Sequence, residues 1–306
     1  MAEKDGRFPR VFTKTVTPFE SDGSIDWFAF DRLLSLQAKA GNGVAIGSIS
    51  GERKALRWEE RQALLEEGLE VCGGRSRVLA VAGAEEGEEA LRFAAFARDC
   101  GAGGLLLEVE KTPGGLYALV RRILEETGVP VIVERQNGKG NLEIYRELSA
   151  LFQIGGIAER AKDPLETKRL SDACRETGTR TPLFCGREER LFLAEALTYE
   201  GVFSECANLF PKAVSRLFSS GGKGIYDCLF DLLCLLGGEE GVSLLKWGLH
   251  RQGLCLPTLR LPLVEPDVGQ IRNLELLLER TGRGLQTETG VRKALDSGPS
   301  DSKRLC

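Results

Sequence analysis

The chain has 306 residues, 42% hydrophobic and 28% charged, with a net charge of -4. That is enough to bury a large core in one sizeable domain or two small ones. The acidic balance, without a Lys/Arg cluster interleaved with aromatics, argues against nucleic acid as a partner.

The N-terminus, "MAEKDGRFPR", is charged where a secretory signal would be apolar. The most apolar late stretch, "YDCLFDLLCLL", is short and carries Asp231, so no membrane span is expected. A cytoplasmic location follows as the expectation. Nine cysteines lie scattered without a CxxC pair, and most, such as Cys228 and Cys234, read as small buried hydrophobes with free thiols. The single histidine, His250, has Cys255 nearby but no further ligands in sight, so neither a metal nor a cofactor is expected. A histidine base or triad is nearly excluded by the same count.

In chain order, short apolar or β-rich runs recur: "RVFTKTV", "GVAIGSI", "RVLAVAG", "GLLLEVE", "VPVIVE", "IGGIA", "TPLFCG" and "EGVFSECA". Amphipathic segments lie between them, with apolar residues three or four apart, and many close on glycine, as at Gly41, Gly101 and Gly128. Strands apolar on both faces, alternating with helices, pair in parallel with right-handed crossovers. Such a pattern closes as a (β/α)8 barrel or opens as a doubly wound sheet. Eight strands in about 225 residues favour the TIM barrel. The expected organisation is α/β: a barrel over 8–224, a C-terminal helical extension over 225–294 and a disordered polar tail over 295–306. No GxGxxG opens a helix after a strand and no GxxxxGK[ST] occurs, so nucleotide binding has little support.

The strand ends carry the chemistry in such a barrel. Read in order, they include "TPFESDGSID", "SGE" after the second strand, "VERQNGKGN", "GIAERAKD" and, later, "KWGL" with "LRLPL". This series resembles the dihydrodipicolinate synthase / N-acetylneuraminate lyase family of class I aldolases, over about residues 10–284. The resemblance implies a barrel with a helical extension, a homo-oligomer (dimer or tetramer), and a lysine on the sixth strand that forms an imine with a 2-oxo acid. It also implies a tyrosine on strand five and a Gly-Thr-Thr-Gly-Glu turn after strand two that binds the acid's carboxylate.

Against that pattern the chain departs at several points. Ala158 stands at the position of the imine-forming lysine, and an alanine has no nucleophile; Lys162, four residues on, is expected to leave the barrel mouth. Glu134 replaces the tyrosine, and Lys139 stands where a substrate-binding arginine often sits. The turn reads Ser48-Ile49-Ser50-Gly51-Glu52, in which Ser50 keeps a hydroxyl and the backbone at Ser50 and Gly51 is still suited to an anion. Lys14 and Glu205 add charge where the family has small or apolar residues. Lys246 and Trp247 match the family's C-terminal helix, where packing is the expected role.

Two readings remain for Lys14 and Glu134. In one, Lys14 is a relocated amine and Glu134 an acid or base, serving a lyase on a 2-oxo acid, or Glu134 alone runs acid–base chemistry without an imine. In the other they form an internal ion pair that fills the space of a lost site. The second is favoured, because perturbed charges also occur in structural pairs. The expected function is thus a divergent aldolase-family protein without the family's imine chemistry. Its ligand, if any, is a small anion held by Ser50, Gly51, Lys139 and Glu205.

Overall fold

A computed structural model of the chain describes residues 8–110, 114–136, 142–219, 221–238 and 240–296. Eight parallel strands form a closed barrel in sequence order: β1 (Val11–Lys14), β2 (Gly43–Ile46), β3 (Val78–Gly83), β4 (Leu105–Val109), β5 (Val131–Gln136), β6 (Ile154–Arg160), β7 (Leu183–Cys185) and β8 (Gly201–Ser204). The fold is a (β/α)8 TIM barrel, with helices outside and a C-terminal helical part beyond β8. Those later helices are Gly222–Leu236, Gly241–Arg251 and Val268–Asp296. The first begins three residues before the boundary read from sequence, and most of the expected tail lies outside the described residues.

Local chemistry explains the helix ends. Asp26 caps Trp27–Ala40 by accepting from the Ala29 N–H at 2.9 Å, and Gly41, at φ 77°, closes it in the left-handed conformation. Asp163 likewise caps Pro164–Glu176, where proline at the first position has no N–H to satisfy. The strands show no alternation of polarity because both faces are covered. One face packs on the helices. The other fills the barrel with Phe12, Ala45, Leu79, Val81, Leu106, Ile132, Ala158, Phe184 and Phe203, closed at the N-terminal end by Phe8.

One irregularity sets the phase of β6. Val131 pairs with Ile154, but Ile132 pairs with Gly156, so Gly155 is passed over in a bulge. Gly156 takes φ 150°, and a Cβ there would lie 2.8 Å from both the Phe184 ring and Pro182 O. Without the extra residue Ile157 would stand opposite Glu134 and face inward. With it, Ala158 does.

Candidate active site at the barrel mouth

Alternation along β1, β4 and β5 turns Lys14, Glu108 and Glu134 inward, one layer above the apolar fill. Register places Glu108 beside Glu134 and Glu134 beside Ala158. The Lys14 ammonium donates to Glu134 Oε2 at 2.6 Å and to Glu108 Oε1 at 3.3 Å. None of the three is more than 2% exposed, so the centre of the mouth is filled by charged side chains. Burial opposes the charge on Lys14, yet Glu134 and Glu108 outweigh it and raise its pKa. Burial also pushes the Glu134 carboxyl up, against the pull of Lys14 and Arg160. Lys14 is therefore held as an ammonium, the form that cannot attack a carbonyl.

The turn after β2 is tied to the same cluster. Ser48 caps it, its hydroxyl accepting from the Gly51 N–H at 3.3 Å, and Glu52 takes a left-handed φ of 59°. The Ile49 N–H points at Glu108, 3.1 Å from Oε2 and 3.4 Å from Oε1. The Ser50 hydroxyl donates to Glu205 Oε1 at 3.2 Å. Gly51 is needed for close approach, since a Cβ there would come within 2.9 Å of Thr15 O. Arg53 follows, buried, donating to Glu108 Oε2 at 3.4 Å and pairing with Glu85 and Glu86. Two donors of this turn thus end on carboxylates of the chain itself.

Across the mouth, Arg160 at the end of β6 pairs with Glu205 at 3.2 Å. Burial pushes Glu205 up, but Arg160 and Lys14 outweigh it and hold its carboxyl below the usual range. Behind it Glu188 accepts from the Glu205 and Cys206 N–H groups at 2.7 and 2.9 Å and meets the Ser204 hydroxyl. Burial, with the Glu205 charge beside it, pushes Glu188 up to about 8, against the pull of the three hydrogen bonds it accepts. Asn208 locks the frame, its amide donating to Lys14 O and Glu205 O, both at 2.8 Å.

Lys14, Ser50, Glu134, Ala158 and Glu205 are therefore brought together, with Glu205 one residue beyond β8 rather than on it. Lys139 lies outside the described residues. Lys162 is exposed on the loop after β6. Two expectations need correction. Cys234 is exposed and Cys228 only half-buried, because the apolar stripe of Gly222–Leu236 runs through Leu229, Leu232, Leu233 and Leu236 instead. Lys246 does more than pack: its buried ammonium pairs with Glu52, donates to Thr258 O at 2.7 Å and lies 4.1 Å from the centre of the Phe19 ring. His250 Nδ1 meets the Cys255 backbone carbonyl at 3.2 Å, not its thiol. Sequence reasoning missed Glu108, Arg53 and Glu188. For Glu108 a signal existed, since it follows Leu106 by two in "LLLEVE" and so shares its inward face.

A closed parallel barrel with ionisable groups gathered at the C-terminal strand ends is the architecture of the TIM-barrel enzymes. Residues 7–280 match the model of the Dihydrodipicolinate synthetase family, and the chain belongs to that family. Among its curated relatives, a 4-hydroxy-tetrahydrodipicolinate synthase of Hydrogenobaculum sp. (strain Y04AAS1) is 28% identical over 268 residues, covering 83% of this chain and 91% of that protein. The solved dihydrodipicolinate synthase from Thermotoga maritima superposes with a TM-score of 0.83 at 26% identity, over 90% of this chain and 99% of that one. A chloride-inhibited dihydrodipicolinate synthase from Acinetobacter baumannii, solved with pyruvate, matches with the same TM-score and coverages at 25% identity.

Proposed function

We propose that this chain keeps the family's barrel but has its 2-oxo acid site closed by its own carboxylates, and that it does not run the imine chemistry. The observation that carries this reading is the turn after β2. Its Ile49 N–H is taken by Glu108 and its Ser50 hydroxyl by Glu205. By resemblance, this turn holds the substrate carboxylate in the family. Here two internal carboxylates stand in for that group, and Lys14 neutralises one of them. Ala158, at the position the resemblance gives to the imine-forming lysine, supplies no amine. The protein then acts through its surface or its assembly with other chains, and Lys14 and Glu134 serve as a structural pair.

A second reading is favoured by the relatives, which bear the names of active synthases, one solved with pyruvate. In it Lys14 is the displaced amine and Glu134 the proton carrier on a 2-oxo acid. The raised pKa of Lys14 opposes it, because the free amine is the nucleophile. Titration calorimetry with pyruvate separates the two. The wild-type chain is expected to give no saturable heat, whereas Glu108→Ala, which releases the Ile49 N–H, is where binding should emerge. Saturable binding of pyruvate to the wild type would overturn the closed-site reading.

A further inference from the structure

A groove of about 850 Å3 lies outside the barrel, between the helix Trp27–Ala40, the segment that follows β8 and the helix Gly222–Leu236. It shares no lining residue with the charged cluster at the mouth. Phe210, Ile225 and Leu285 contribute an apolar wall. Lys39, Lys212 and Arg216 line it too, and among the described residues no Asp or Glu does. Among the described residues, none of these three cations has a carboxylate partner.

The fully buried cations among the described residues are all paired. Lys14, Arg53, Arg135 and Lys246 are each buried against a carboxylate. Arg216 is half-buried beside hydrocarbon, with no counter-charge among the described residues, and Lys39 and Lys212 are exposed at the groove's edge. A cation withdrawn from water gains from an anion placed beside it. The adjoining apolar wall gains from a hydrocarbon body laid against it. The volume falls within the range of roughly 300–1,000 Å3 typical of small-molecule sites, which are mainly apolar with a few placed polar groups.

We propose that this groove binds a small amphipathic acid: an aliphatic or aromatic body on the Phe210 and Ile225 wall, with a carboxylate or phosphate head among Lys39, Lys212 and Arg216. Arg216 offers a planar fork to the head and the two lysines offer point charges, so either anion can be held.

Titration calorimetry of the full chain with octanoate, octyl phosphate and neutral octan-1-ol tests this. At least one of the two acids is expected to bind saturably at one per chain, and the tighter one identifies the head group. The alcohol should bind about tenfold more weakly, the equivalent of one lost charge-assisted hydrogen bond. The double variant Lys39→Gln/Arg216→Gln should weaken the acid about tenfold with an unchanged thermal midpoint, and raised salt should weaken the wild type in the same sense. Ala213→Phe, which fills the groove, should abolish binding. The proposal is overturned if neither acid saturates, if octan-1-ol binds equally well, or if the charge variants leave affinity unchanged. It is also overturned if sedimentation shows a dimer that Lys39→Gln/Arg216→Gln dissolves, since a second copy would then be the occupant.

Discussion

Lys14 has two carboxylates within reach and almost no water, and each partner depends on the others. Glu108 also meets Arg53 and the Ile49 N–H, while Glu134 takes the Lys14 ammonium at 2.6 Å and also feels the charge of Arg160. Replacing Lys14 by methionine should destabilise the fold by about 3–5 kcal/mol, by removing the ammonium that sits against a fully buried carboxylate. The double change Lys14→Met with Glu134→Gln should recover much of that loss, which urea denaturation of the four chains would read as a coupling energy. Additive effects of Lys14→Met and of Glu134→Gln measured alone would mean the two side chains do not interact. The ion pair was legible in sequence, because alternation on β1 and β5 turns both residues inward. For the third member, Glu108, the inward face could be read from Leu106 two residues before it, but its place beside Glu134 could not, because only register sets it there.

At the scale of elements, the barrel could be read because each strand is apolar on both faces and many of the intervening helices end on a glycine. The inward turn of Ala158 could not be read from alternation alone. It depends on the bulge at Gly155, which shows only when the pairing of β5 and β6 is seen. The fastening of the C-terminal helices was likewise invisible, because it joins residues 200 positions apart. There Arg260 donates to both Glu60 oxygens, at 2.7 and 2.8 Å, and to Gly23 O, while Lys246 pairs with Glu52. The hydrogen bond from Arg260 holds Glu60 down to about 2, against an ordinary 4.5. Because the folded value is depressed, this contribution is present above about pH 4.5 and fades as pH falls through about 2. Arg260→Gln should cost about 1.5–3 kcal/mol at neutral pH, the range for hydrogen bonds to charged groups. The difference between variant and wild type should then shrink as Glu60 is protonated, as thermal melts from pH 7 to pH 2 would show. A gap that stays constant across that range would assign the loss to packing of Arg260 on Phe19 instead.

For the whole molecule, the barrel and its family follow from the order and spacing of motifs, which survive at 25–28% identity to the relatives above. The site does not follow from family membership, because a few inward positions decide whether a mouth is open or filled. Here Lys14, Glu108, Glu134 and Glu205 occupy it, and no helix among the described residues is long and apolar enough to cross a membrane. Reductive trapping addresses the central claim most directly. The chain is incubated with pyruvate and borohydride and its intact mass is measured. The account predicts an unchanged mass, since Ala158 offers no amine and Lys14 is held as an ammonium between two carboxylates. A stable pyruvyl adduct that peptide mapping places on Lys14 would contradict it and make the chain an imine-forming enzyme with a displaced lysine.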